Sequence, residues 1–282
     1  MKKFLALGLS CVLTASLFTG CGEQKTETPA PAPAVNSEPQ PIKLGTLKYL
    51  NADEKLLDEN IKNSPIKHKF IIHNDIKTLK MALESGQIDE ICTYKTVADY
   101  LMARDTKLED TQHKPYYKIS DKFAFAMRSE DTALKEQVDA AIDSMKNDGT
   151  LENLIKTYIT DLKADEEPPA VAFETFDGAE TLKIGVTGDL PPLDYVSADG
   201  KAAGFSTAVL AELGKRLQKN IEVIQIDSGT RAAALKANKI DISFWAVSTA
   251  DNAILPDLDK PEGLELSSPY FQDSGVHLTL KK

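Results

Sequence analysis

Trp245 is the only tryptophan of the chain, and it ends an apolar run from Ile240 that reads as a β-strand. An indole at a strand end offers a flat apolar face and one N–H donor, so it either walls a small-molecule pocket or plugs the core beneath one. Two other stretches enter helices: Lys48-Tyr49-Leu50-Asn51 and Thr93-Tyr94-Lys95-Thr96. Free amides at a helix start attract anions, so either loop can receive a carboxylate. Tyr49 and Tyr94 can stack on a ligand or lie part-exposed without one. Catalytic patterns are missing: there is no Gly-x-Ser-x-Gly elbow, no phosphate-binding loop ending in Lys-Ser/Thr, and no His-Glu-x-x-His. His68, His73, His113 and His277 are scattered, and none shares metal-ligand spacing with a cysteine. Asp257 and Asp259 do not follow a calcium-loop pattern and read as a solvated loop. Neither enzyme chemistry nor a metal or cofactor is expected.

The elements that must position these residues fall into two related sets. Leu83-Glu84-Ser85-Gly86-Gln87-Ile88-Asp89 is echoed by Leu235-Lys236-Ala237-Asn238-Lys239-Ile240-Asp241. Each copy closes a short helix, turns at Gly86 or Asn238, and enters an apolar strand. Upstream, Ile42-Lys43-Leu44-Gly45-Thr46 matches Leu182-Lys183-Ile184-Gly185-Val186 as a strand opening. The first set reads as strands at 43–47, 67–72 and 88–92 alternating with helices at 52–62, 75–83 and 96–103. The second reads as strands at 182–186, 221–226 and 240–245 with helices at 206–217 and 230–236, and a last extended piece at 276–280. Alternation of this length favours parallel, helix-covered sheets. Between the sets, residues 114–127 read as extended and 132–147 and 151–158 as helices. Asp165-Glu166-Glu167-Pro168-Pro169 then marks a connector at 162–180.

With 282 residues, the chain is long enough for two modest cores. A formal net charge of −10 argues against a nucleic-acid surface, which needs clustered Lys and Arg to neutralise phosphates. The N-terminus reads as a targeting segment: Lys2 and Lys3, an apolar run from Phe4 to Leu17, then Phe18-Thr19-Gly20-Cys21. It resembles a bacterial lipoprotein signal, in which residues 1–20 are removed and Cys21 is lipidated. Cleavage there also removes Cys11 and leaves Cys92 as the one free thiol, so no intramolecular disulfide is possible. Residues 21–41 form a Pro/Ala-rich stretch that favours an extended tether. An extracytoplasmic protein, held to the bacterial cell membrane by N-terminal lipid, is expected.

Taken in reverse order, the two halves resemble the family 3 extracytoplasmic solute-binding proteins, which deliver amino acids and related solutes to ABC transporters. Residues 182–282 are similar to the family's opening half through Gly185-Val186-Thr187-Gly188-Asp189-Leu190-Pro191-Pro192, Tyr195 to Lys201 with Gly204-Phe205, Leu235 to Asp241, and Ser267-Ser268-Pro269-Tyr270-Phe271. Residues 42–158 are similar to its closing half through Ile88-Asp89, Val97-Ala98-Asp99-Tyr100, Phe125-Ala126-Met127-Arg128, and Met145 to Leu151. The resemblance implies an α/β fold of two Rossmann-like lobes with a hinge and an interlobe cleft, of the periplasmic binding protein type 2 kind, circularly permuted. It places one lobe at 42–115, the hinge return and its helices at 116–161, and the other lobe at 181–282.

Ligands of such sheets bind beyond the carboxyl ends of the strands. The resemblance therefore implies a pocket from Asp189, Leu193, Tyr195, Trp245, Ser248, Lys48, Tyr49 and Tyr94, a monomer, and an ABC permease as partner. The arginine by which family members clamp an α-carboxylate falls at Ala253, and their ammonium-binding aspartate falls at Tyr94. Either the solute is not a plain α-amino acid, or the cleft no longer carries a transported one.

Overall fold

The computed structural model describes residues 40–64, 66–111, 120–163, 165–249 and 260–282. The signal segment, Cys21, the tether up to residue 39, His113, residues 114–119 of the expected hinge, Ala253 and the Asp257/Asp259 pair lie outside the described residues. Among the described residues, no helix is long and apolar enough to cross a membrane.

The first lobe runs β1 (Ile42–Leu47), α1 (Glu54–Ile61), β2 (His68–His73), α2 (Ile76–Glu84), β3 (Glu90–Tyr94), α3 (Lys95–Arg104) and β4 (Leu108–Asp110). Strand β1 pairs in parallel with both β2 and β3. Asp53 and Asp75 cap α1 and α2, accepting the amides of Leu56 and Thr78 at 2.8 and 2.7 Å. On α2, Leu79, Ala82 and Leu83 recur at helical spacing and are buried. The chain then continues through β5 (Ser120–Arg128), α4 (Thr132–Asn147) and α5 (Thr150–Ile155). The second lobe follows with β6 (Thr181–Val186), β7 (Asp189–Leu190), β8 (Asp194–Val196), β9 (Ala202–Ala203), α6 (Phe205–Leu217), β10 (Asn220–Gln225), α7 (Arg231–Lys236), β11 (Ile242–Thr249), β12 (Leu264–Leu266) and β13 (Phe271–Leu280).

Strand order explains the two-lobed form. In the first lobe it is β2-β1-β3-β13-β4, and in the second β10-β6-β11-β5-β12. Each sheet thus takes one antiparallel strand from a distant part of the chain, β13 or β5. These two strands also pair with each other, Phe271 opposite Phe123 through Ser274 opposite Ser120, so they form the hinge ribbon between the lobes. This is an α/β arrangement of two sheet-and-helix lobes joined by a hinge ribbon, in keeping with the two-lobed fold that the resemblance implied.

The repeated sequence has one physical job in both lobes. Gly86 and Asn238 carry φ of 72° and 55°, the left-handed turn that releases the helix into the next strand. Asp89 accepts the Lys43 amide at 2.8 Å, and Asp241 accepts the Lys183 amide at 2.9 Å, each tying the turn to the first strand of its lobe. Because the aspartates are spent on that tie, β3 and β11 begin after them, two residues beyond the sequence expectation. The last strand starts at Phe271, five residues earlier than expected, because it must span both sheets. The small sheet β7-β8-β9 was not expected from the sequence; its strands are two or three residues long and too short to show a period.

Candidate functional site

The carboxyl ends of the strands in one lobe face those of the other. Contact between them centres on Arg231, the first residue of α7 and fully buried. Its Nε donates to the Ser228 carbonyl at 3.1 Å, one Nη donates to the Trp245 carbonyl, and the other donates to the Lys48 carbonyl of the first lobe at 2.7 Å. Its guanidinium carbon lies 4.5 Å from the centre of the Trp245 ring, a cation–π contact in a dry setting. Tyr49, from the first lobe, stacks over the same indole at 6.3 Å and 29°.

Trp245 is aimed by a β-bulge. Ser243 pairs with Ala126 and Ala246 with Ala124, so Phe244 and Trp245 together oppose Phe125. The bulge holds Trp245 at φ 60°, a conformation that a bulky residue adopts only when its surroundings impose it. Its indole nitrogen is buried and has no acceptor among the described residues. A buried donor left unpaired costs stability.

Next to this junction lies a cavity of about 450 Å³ lined by Asn74 and Asp75 from the first lobe and by Thr187, Asp189, Gln225, Ile226 and Asp227 from the second. The Ser228 hydroxyl binds both sides, 2.7 Å from Asp189 Oδ2 and 2.9 Å from the Asn74 carbonyl. Burial pushes the Asp189 carboxyl up to about 6, helped by the charges of Asp194 and Asp75 and opposed by the Ser228 hydroxyl and Arg231. Asp194, fully buried and likewise shifted upward by burial, accepts the Thr187 amide and hydroxyl at 3.0 and 2.7 Å and fixes the loop after β6. The wall is thus acidic, with three carboxylates and no cation among its lining residues.

The two helix starts read as anion sites are already served. Asp53 caps α1, and the Thr96 amide of α3 donates to Asp273 Oδ2 of β13 at 2.9 Å. The chain's own carboxylates stand where a ligand's would have been.

Of the residues expected in the pocket, the structure gathers Trp245, Tyr49, Lys48 and Asp189 at the lobe junction. Lys48 contributes its carbonyl, while its ammonium donates to the Ala52 carbonyl at 3.0 Å. Tyr94 lies at the hinge, with its hydroxyl donating to Asp121 at 3.0 Å and its ring edge-on to Phe123 at 4.7 Å. Tyr195 turns toward the connector and donates to the Glu167 carboxylate. Leu193 is buried in the core, and Ser248 is half-buried on β11 opposite Lys122. Sequence reasoning missed Arg231, Ser228 and Asn74. A signal for Arg231 existed: a cation in the first turn of a helix opposes the helix dipole and needs another reason to be there. The scattering of the histidines also needs correction, because His68 and His277 come together beside Glu90.

Residues 182–279 match the family model of bacterial extracellular solute-binding proteins, family 3. A probable histidine-binding protein of Campylobacter jejuni is 27% identical over 103 residues, which are 36% of this chain and 36% of the relative. The match therefore spans about a third of that relative's length. Among solved structures, the GluR0 ligand-binding core in complex with L-glutamate is similar at 10% identity, covering 87% of each chain, with a TM-score of 0.38. A nutrient-binding protein from Burkholderia cenocepacia bound to methionine is similar at 13% identity, covering 85% of this chain and 84% of that one, with a TM-score of 0.41. The likeness to the bacterial extracellular solute-binding proteins, family 3, thus lies in residues 182–279 of this chain.

Proposed function

We propose that this chain is the lipid-anchored extracytoplasmic receptor of an ABC transporter, and that it binds a small polar solute with a cationic group between its lobes. It is a binding protein and not an enzyme. The observation that carries the reading is a cavity to which both lobes contribute, with Asp75, Asp189 and Asp227 on its wall. A solute touching both lobes stabilises the closed form by its differential affinity, and the closed form is what a permease distinguishes. An ammonium, imidazolium or guanidinium group suits three carboxylates, and the unpaired Trp245 N–H supplies one donor for a neutral acceptor. The name of the Campylobacter relative fits a nitrogen-rich solute. The carboxylate clamp of α-amino-acid binders is not needed for such a ligand, in keeping with Ala253 where the family has arginine. The order of the halves is a circular permutation of the family's order, with the connector after α5 joining what are elsewhere the two termini. Lipid on Cys21 holds the monomeric receptor at the membrane, with the residues up to 41 as its tether.

The test is titration of the purified protein with a panel of amines, basic amino acids and their derivatives, read by calorimetry and by fluorescence of the sole tryptophan. Saturable binding by a cationic member supports the receptor. A panel in which nothing binds removes it.

A second reading has its own support. Arg231 already ties the lobes together from within, as a ligand would. A non-transport lipoprotein with a filled cleft predicts no solute-induced compaction in small-angle scattering.

A further inference from the structure

His68, Glu90 and His277 meet on the first lobe at the amino ends of its strands, the end opposite the cleft. They come from three strands, β2, β3 and β13, and their ligating atoms all lie within 4.8 Å of one another. Nδ1 of His277 is 2.9 Å from Oε2 of Glu90, and the two imidazoles stand edge to face at 5.7 Å. Glu90 is 6% exposed, and both histidines are half-buried.

An ordinary ion pair accounts for only part of this. One buried carboxylate neutralises one imidazolium, which explains His277. A second imidazole, that of His68, is brought to the same place from β2, with β1 lying between it and β3. Two histidines and one carboxylate on a common centre are a donor set that zinc favours, with bonds of about 2.0–2.1 Å and hence donors roughly 3.3 Å apart in a tetrahedron. Here one separation is 2.9 Å and all lie within 4.8 Å, so side-chain rotations bring the three donors onto one ion. The charge also balances: two neutral imidazoles and one carboxylate around a divalent ion leave a single positive charge, in place of two imidazoles competing for one anion. Glu90 also lines an open groove of about 640 Å³, together with Asp89, Glu109, Asp110 and Lys282, a wall that is acidic on balance. Cys92, two residues along β3, lies opposite His277 in the strand pairing and so packs beside its ring.

We propose that His68, Glu90 and His277 bind one divalent transition-metal ion, zinc above all, with water completing the coordination. This site is separate from the interlobe cavity and does not depend on what the cavity binds. Binding replaces the proton between His277 and Glu90 with the metal, and it pins β2, β3 and β13 of the first lobe to one another.

The experiment uses the full purified chain, stripped with a chelator, dialysed, and titrated with zinc chloride alone in a calorimeter. One equivalent of zinc is expected, with a rise in melting temperature that grows with free zinc. His68→Ala is expected to weaken binding by at least about 100-fold while the circular dichroism spectrum is unchanged. Glu90→Gln, which keeps the shape and removes the charge, is expected to weaken it similarly. It also serves if His68→Ala does not fold. Cobalt replaces zinc in a second measurement, where a visible d–d spectrum lost in His68→Ala assigns the ligand directly. The proposal is overturned if the wild-type chain takes up no zinc, or if His68→Ala binds zinc as tightly as wild type.

Discussion

Arg231 of the second lobe donates to the main-chain carbonyl of Lys48 in the first at 2.7 Å, and this bond closes the molecule. The same guanidinium donates to Ser228 and Trp245 within its own lobe, so one buried side chain reads the relative position of both. It uses the fork of donors that arginine has and lysine lacks.

Arg231→Met therefore removes the bond and leaves carbonyls without a partner. A loss of about 2–4 kcal/mol in stability is expected, together with an increase in radius of gyration as the lobes part. Arg231→Lys should recover only part of either. An unchanged scattering curve for Arg231→Met would show that the bond does not hold the lobes.

Trp245 separates packing from polar recognition. Trp245→Phe keeps an aromatic ring in the bulge and removes the buried unpaired N–H. Its effect on the melting temperature should be small, while solute affinity falls by about tenfold, one hydrogen bond. Trp245→Ala removes the packing as well and should cost about 3–5 kcal/mol.

Asp189 titrates near 6 in the folded chain and near 4 when unfolded, so between these values the native state binds more protons than the unfolded one. Stability from this group is full below pH 4 and is lost as the pH rises through 6. Asp189→Asn should stabilise the protein at pH 7 by about 1–2 kcal/mol, allowing for the solvent that screens the group, and should give no gain at pH 4. A cationic solute prefers the charged carboxylate, so its affinity for wild type should rise through pH 6 and that for Asp189→Asn should not. Denaturant titrations and calorimetry at the two pH values check both halves.

The repeat predicts matched mutants. A Cβ on Gly45 would lie 2.4 Å from Ile88 and 2.7 Å from Leu79; one on Gly185 would lie 2.6 Å from Ile240 and 2.7 Å from Ile226. Gly45→Ala and Gly185→Ala should each cost about 1–3 kcal/mol by overpacking. Asn238→Gly should be close to neutral, because glycine accepts the left-handed turn freely, while Gly86→Ala should cost about 1 kcal/mol. Denaturant midpoints of the four variants are the measurement.

What could be read along the chain was local or periodic. The helix over Thr132–Asn147 has the bounds expected from its apolar spacing, and the paired turns at Gly86 and Asn238 stood out because each copy needs the same backbone and the same aspartate tie. Trp245 was legible as well, being unique and at the end of an apolar run. Tyr94 was an attractive candidate by its place after a strand, yet a hydrogen bond to Asp121 on β5, far away in sequence, draws it to the hinge.

By itself the sequence determined two strand-and-helix lobes and the residues at the ends of their strands, because periodicity, turn chemistry and capping act over a few residues. Only the tertiary structure decided that Arg231 lies across the lobes, that Asp273 serves the start of α3, and that His68 and His277 share Glu90. Those contacts depend on β5 and β13 crossing between sheets, and on burial that selects a partner by position in space and not along the chain. No local pattern records such a choice.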